Sequence, residues 1–160
     1  MTAKEFRNEC REMWLLLLVY IQQKWDGLRL TFAIYMADAL QKARNKQFYV
    51  LDNGHGKLIW LCNDDIAILK RPRIAQKLVP IEVNGKMRHK LVKYKVRLIP
   101  KNTSHSDIMR DCYYYTAPNR QNSNGITVEE RNQKRKAWIE YMEHYRINRM
   151  LGRRKIRINK

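Results

Sequence analysis

Asp107 and Asp111 stand four residues apart, a spacing that puts two carboxylates on one face of a helix, where they could begin a divalent-metal site of the nuclease kind. Asp64 and Asp65 are further acids for such a site. Arg110 lies beside the first pair and no larger acid cluster follows, so the pattern reads first as helix-surface charge. His105 and Cys112 are seven apart, two helical turns, which is too far for a base to activate a thiol on the same helix. His55 falls in a turn, and His89 and His144 have no spaced partner. The chain contains no P-loop, GxSxG, HExxH or dinucleotide fingerprint. The expectation is a non-enzymatic protein without a metal or cofactor.

The residue type that does form a pattern is the cation. Lys93, Lys95 and Arg97 alternate with Val92, Tyr94, Val96 and Leu98, and period two is expected to put the apolar residues on one face of a strand and the cations on the other. With Lys86, Arg88, Lys90 and Lys101, residues 84–101 hold seven cations and no acid. Such a row docks on a phosphate backbone without reading sequence, releasing counterions as it does so. The tail "GRRKIRINK" supplies a second basic element through Arg153, Arg154, Lys155, Arg157 and Lys160. It reads as an arm into a groove, a polybasic membrane-surface contact, or, from the alternation of Ile156 and Ile158, a strand added to a neighbouring sheet. Tyr113, Tyr114 and Tyr115 would stack on bases if exposed together. On a helix successive residues point about 100° apart, so core packing with one surface tyrosine is expected.

The net charge of +18 in 160 residues is uneven. Residues 1–80 carry 13 Lys and Arg against 8 Asp and Glu, while residues 81–160 carry 20 against 7. That excess points to a polyanionic partner. Cys10, Cys62 and Cys112 form no CxxC pair, so neither a zinc ribbon nor a disulfide framework is indicated, and a reducing compartment fits. Glu5, Glu9 and Glu12 precede the most apolar run, which argues against a signal peptide. The run itself, Met13 to Ile21, is nine residues, about half of what a membrane span needs.

These residues must be carried by elements that the pattern also predicts. Thr2 to Glu5 reads as a capping box opening a helix that is apolar nearly all round by Val19 and ends at Asp26-Gly27. A second apolar helix over residues 28–44 completes a helical hairpin. "QFYVLD" and "KLIWLC" flank "NGHG", a hairpin signal, and "NDDIAILK" reads as a short helix capped by Asn63. "LVPIEV", Asn84-Gly85 and "LVKYKVRLIP" form a second hairpin. Ser106 is expected to open a short helix running into the tyrosines. Residues 117–126 form a polar loop, and Thr127 to Glu130 cap a long helix that Gly152 ends. No heptad array stands out. The fold class is α+β: an N-terminal helical hairpin, two β-hairpins and a long C-terminal helix with a basic arm. Residues 1–116 form the α+β domain, 117–126 the loop, and 127–160 the helix and arm. An apolar run this continuous has more sides than an internal hairpin covers, so Trp14, Leu15, Leu16, Leu18 and Val19 are assigned to a protein interface in a homo- or hetero-oligomer.

"RNKQFYVLDNGHGKLIWLCNDDIAILKR" resembles a unit found in small basic proteins of tailed bacteriophages of gut Bacteroidetes, the crAss-like group included. The likeness covers residues 28–72: a helix, a Tyr-Val hairpin with a Gly turn, and a hydrophobic strand leading to a short basic helix. It implies a phage virion component, found in the host cytoplasm during assembly, and it transfers no catalytic residue. The expected function is an assembly protein that docks electrostatically on nucleic acid or other virion subunits. The rivals are a free nucleic-acid-binding regulator, a metal-dependent nuclease and a membrane-surface protein.

Overall fold

The computed structural model describes residues 3–83, 85–121 and 125–158, with side chains described over 7–82, 85–121 and 125–152. The fold is α+β. In chain order the elements are α1 (Ala3–Arg44), β1 (Phe48–Asp52), β2 (Leu58–Cys62), α2 (Asn63–Leu69), β3 (Arg73–Val83), β4 (Lys86–Val96), α3 (His105–Asp111), β5 (Tyr114–Tyr115) and α4 (Val128–Ile158).

The expected N-terminal hairpin is a single helix. α1 runs for 42 residues, about 63 Å, straight through Asp26-Gly27. An Asp-Gly pair ends a helix when the chain gains by leaving it, and here tertiary contacts hold it in. Asp26 is buried, its carboxylate binds Arg146 of α4 at 2.5 Å, and its carbonyl accepts the indole N–H of Trp138 at 3.0 Å. Gly27 lies beneath the end of an α4 side chain: a Cβ there would lie 2.8 Å from the Arg135 guanidinium. The helix ends where the sequence places its end, with Asn45 in the left-handed region at φ 52° and its N–H returning to the Gln41 carbonyl. The Thr2 capping box falls outside the described residues.

β1 is the central strand of an antiparallel sheet ordered β2-β1-β5. Alternation along β1 divides the core in two. Phe48 and Val50 face Leu30, Ala33, Ile34 and Ala37 of α1 and Trp138 and Met142 of α4, whereas Tyr49 faces Ile66 of α2 and Ile108 and Cys112 around α3. Helices therefore cover both faces of a small sheet, and α4 belongs to the same core as β1. The "NGHG" turn is as expected: Gly54 and Gly56 have φ of 80° and 67°. The Asn53 side chain accepts from the His55 and Lys57 backbone N–H groups. A Cβ on Gly56 would sit 3.0 Å from the Tyr145 ring, so this turn docks on α4.

Two caps differ from expectation. Cys62 rather than Asn63 is the N-cap of α2, with the Asp65 carboxylate accepting its backbone N–H at 3.0 Å. Ser104 rather than Ser106 caps α3, accepting from the Asp107 N–H at 3.1 Å. At α4 the Thr127 hydroxyl accepts from the Glu130 N–H, as the sequence predicts. The three tyrosines are not on a helix. Tyr114 and Tyr115 pair with β1 and are buried, because an extended strand sends successive side chains to opposite faces and both faces are covered. They are withheld from base stacking. α4 also passes through Gly152 to Ile158, so the tail is helical to that point and not an added strand. Lys160 lies outside the described residues.

Candidate nucleic-acid interface

β3 and β4 pair over eleven residues each in one uninterrupted register, from Arg73 opposite Val96 to Val83 opposite Lys86. Gly85, at φ 70°, supplies the turn. The ribbon is about 35 Å long and packs extensively on no other element, so both of its faces meet solvent. Residues 71–101, which contain it, carry ten Lys and Arg against one acid, Glu82. Half of the net charge of the chain is thus concentrated in about a fifth of its length.

The register corrects the expected distribution of cations. Directly opposed residues in an antiparallel pair share a face, and residues two apart along a strand do likewise. Lys86, Arg88 and Lys90 therefore share a face with Val92 and Tyr94, and across the ribbon with Arg73 and Lys77. Lys93 and Lys95 lie on the opposite face with His89 and Glu82. The alternation of apolar and charged residues slips by one between Lys90 and Val92, where Leu91 follows a cation and precedes a second apolar residue, so one strand cannot keep all its cations together. Arg97 follows the end of β4 and is exposed.

What results is a ribbon with two characters. One face carries five cations and no acid, with Lys86, Arg88 and Lys90 spaced about 7 Å along β4 and Arg73 and Lys77 about 13 Å apart on β3. Val79 and Ile81 on the same face are half-buried and lie directly across from Lys90 and Arg88. The other face is led by Ile74, Leu78, Met87 and Leu91, which are 51–70 % exposed. Among the described residues, none of the ribbon cations takes part in an ion pair. Their charge is free for an external anion.

The acids of the rival metal site are committed locally. Arg110 bridges Asp107 at 3.2 Å and Asp111 at 2.9 Å. The Ser104 hydroxyl holds the Asp107 carboxyl below the usual carboxylate range, with the Ser104 backbone N–H and Arg110 acting in the same direction. Asp64 pairs with Lys46, and Asp65 is held low chiefly by the Cys62 backbone N–H. Among the described residues no three His, Cys, Asp or Glu side chains are grouped to hold a metal ion. His105 meets the Tyr49 hydroxyl at 3.2 Å, and burial pushes the Cys112 thiol up to about 11, away from a nucleophilic thiolate.

Arg153, Arg154, Lys155 and Arg157 continue α4, whose side chains are exposed from Ile147 to Gly152 after Tyr145 and Arg146 make their contacts with the body. The five residues assigned to a protein interface, Trp14, Leu15, Leu16, Leu18 and Val19, are all 45–70 % exposed along the first half of α1. No helix among the described residues is long and apolar enough to cross a membrane. Sequence reasoning missed that the exposed apolar surface continues past the run, through Trp25, Leu28, Phe32 and Tyr35. The signal was present as a 4-3 spacing, hidden because every position around Leu16 is apolar. No family model, curated protein or solved structure matches the chain.

Proposed function

We propose that this chain is a non-enzymatic assembly protein that docks on duplex DNA through the β3–β4 ribbon and joins other subunits through α1. The observation that carries this is the unpaired five-cation face of Arg73, Lys77, Lys86, Arg88 and Lys90. A two-stranded ribbon is of a size that the major groove of B-form DNA, about 12 Å wide, admits. The deep, narrow major groove of an RNA duplex does not accept side chains in this way, which favours DNA. The contacts are to phosphates and carry no base code, so binding is independent of sequence. Lys93 and Lys95 on the ribbon and Arg97 just past it, with Arg153, Arg154, Lys155, Arg157 and Lys160 at the end of the chain, add long-range attraction. A virion setting is what the resemblance of residues 28–72 to phage proteins implies.

The test is a salt titration of binding to a random-sequence DNA duplex. Affinity is expected to fall steeply between low and moderate salt. Alanine at Lys86, Arg88 and Lys90 together should reduce the slope of log K against log salt by about 2.7, at about 0.9 for each phosphate left unneutralised. Affinity that does not respond to salt would sink backbone docking.

A further inference from the structure

We infer that the outer face of α1 is a coiled-coil seam that takes a second copy of α1, antiparallel, to form a dimer. Trp14, Ile21, Leu28 and Tyr35 recur every seven residues. Leu18, Trp25 and Phe32 fall between them at alternating spacings of four and three, the d and a positions of a heptad. All seven are between 48 % and 68 % exposed. The side of α1 that packs on its own body, Asp26, Leu30, Ala33, Ile34 and Ala37, occupies the b, c and f positions, diametrically opposite the seam. A partner helix can therefore lie along the seam, meeting the body where the Phe32 ring stands edge-on to Trp60 of β2.

Three features select a second copy as the occupant. The first is area: at roughly 100 Å² apiece for large side chains exposed over half their surface, seven such residues offer roughly 700 Å² per copy, against the roughly 800 Å² per partner of a stable complex. The second is charge. In a chain of net +18, residues 14–39 contain only two cations, Lys24 and Arg29, so two copies meet here with little repulsion. The third is orientation. Side by side in parallel, Lys24 at g would face Arg29 of the other copy at e, a like-charge pair on both flanks. Turned antiparallel, Leu18 opposes Tyr35, Ile21 opposes Phe32 and Trp25 opposes Leu28, while Lys24 faces Thr31 and Gln22 faces Arg29. That register also lays the uncovered first half of each helix against the body of the other copy. There Phe32 and Trp60 border a groove of about 540 Å³.

This inference stands apart from DNA docking and is tested without DNA, at high salt, by measuring solution mass. The wild-type chain should have twice the monomer mass in the micromolar range. Phe32→Glu and Trp25→Glu should halve it while leaving the circular dichroism spectrum that of a folded chain, with a melting point lowered by no more than the lost association accounts for, and Leu16→Glu, at an f position, should leave the dimer intact. Cys10 is the accessible thiol, since Cys62 and Cys112 are buried. A spin label on it reads the orientation: the antiparallel register separates the two labels by about 50 Å, at 1.5 Å per residue. A monomer throughout that range, whether or not it floats with anionic vesicles, overturns the seam. So does equal dissociation by Leu16→Glu and Phe32→Glu. A label separation under about 20 Å, the span of two helices side by side, overturns the antiparallel arrangement.

Discussion

The carboxylate of Asp26, buried at the middle of α1, lies 2.5 Å from the guanidinium of Arg146 on α4, 120 residues away. Arg29 stands by at 3.8 Å, and the Asp26 carbonyl takes the Trp138 indole N–H. One residue thus locks the two long helices together. Removing Arg146 leaves a buried carboxylate with only a distant partner. Arg146→Ala is expected to lower stability by about 3 kcal/mol, read as the shift of a urea unfolding midpoint at constant slope. A change below about 0.5 kcal/mol would show that the pair contributes little.

Gly27→Ala separates a helix that continues from one that breaks. In the continuous helix the added Cβ meets only the far end of Arg135, an exposed side chain that can swing aside. Alanine in a helix interior is favoured over glycine by about 1 kcal/mol, so the variant should be slightly more stable than wild type. Destabilisation would mean that the close approach of α4 matters more than helix propensity.

The two faces of the ribbon should behave differently towards DNA. Alanine at Lys93 and Lys95 removes two cations from the face opposite Lys86, Arg88 and Lys90. Parallel salt titrations should show a slope change of less than about 1 for this pair, well below that for the other three. Equal effects per cation would point to a ribbon wrapped on both sides.

Stability should fall in alkali. Burial pushes Cys112 up to about 11 and Tyr49 and Tyr113 up to about 12. Below about pH 7.5 these groups are protonated in both folded and unfolded chains, and their contribution is complete. As pH rises from about 8 for Cys112 and about 9 for the tyrosines, the unfolded chain releases their protons and the folded chain resists, so the unfolded state is favoured progressively. Urea midpoints measured from pH 8 to 11 should decline; a flat profile would contradict the burial of these groups.

A thiol count offers an independent check on the core. Cys10 should react rapidly with a thiol reagent at neutral pH, and Cys62 and Cys112 only on unfolding, since both are buried. Rapid reaction of all three would mean that the layer around Tyr49 and α3 opens readily.

The α+β class, the "NGHG" turn, the basic hairpin, the end of α1 at Arg44 and the Thr127 cap were legible in the sequence, because each depends on residues within a few positions of one another. Period two in a strand, positive φ at glycine and a side-chain oxygen at a helix start are local physics. What was misread depended on distant partners. Asp26-Gly27 has the form of a helix end and stays helical because Trp138, Arg135 and Arg146 meet it from α4. Tyr114 and Tyr115 are strand and core because β1 lies beside them. The sequence alone determined that there would be many cations and one long apolar run. Which cations share a face was decided by strand register, and which side of α1 is left open was decided by where the body packs. Both are properties of pairing between segments far apart in the chain, and no window along it contains them.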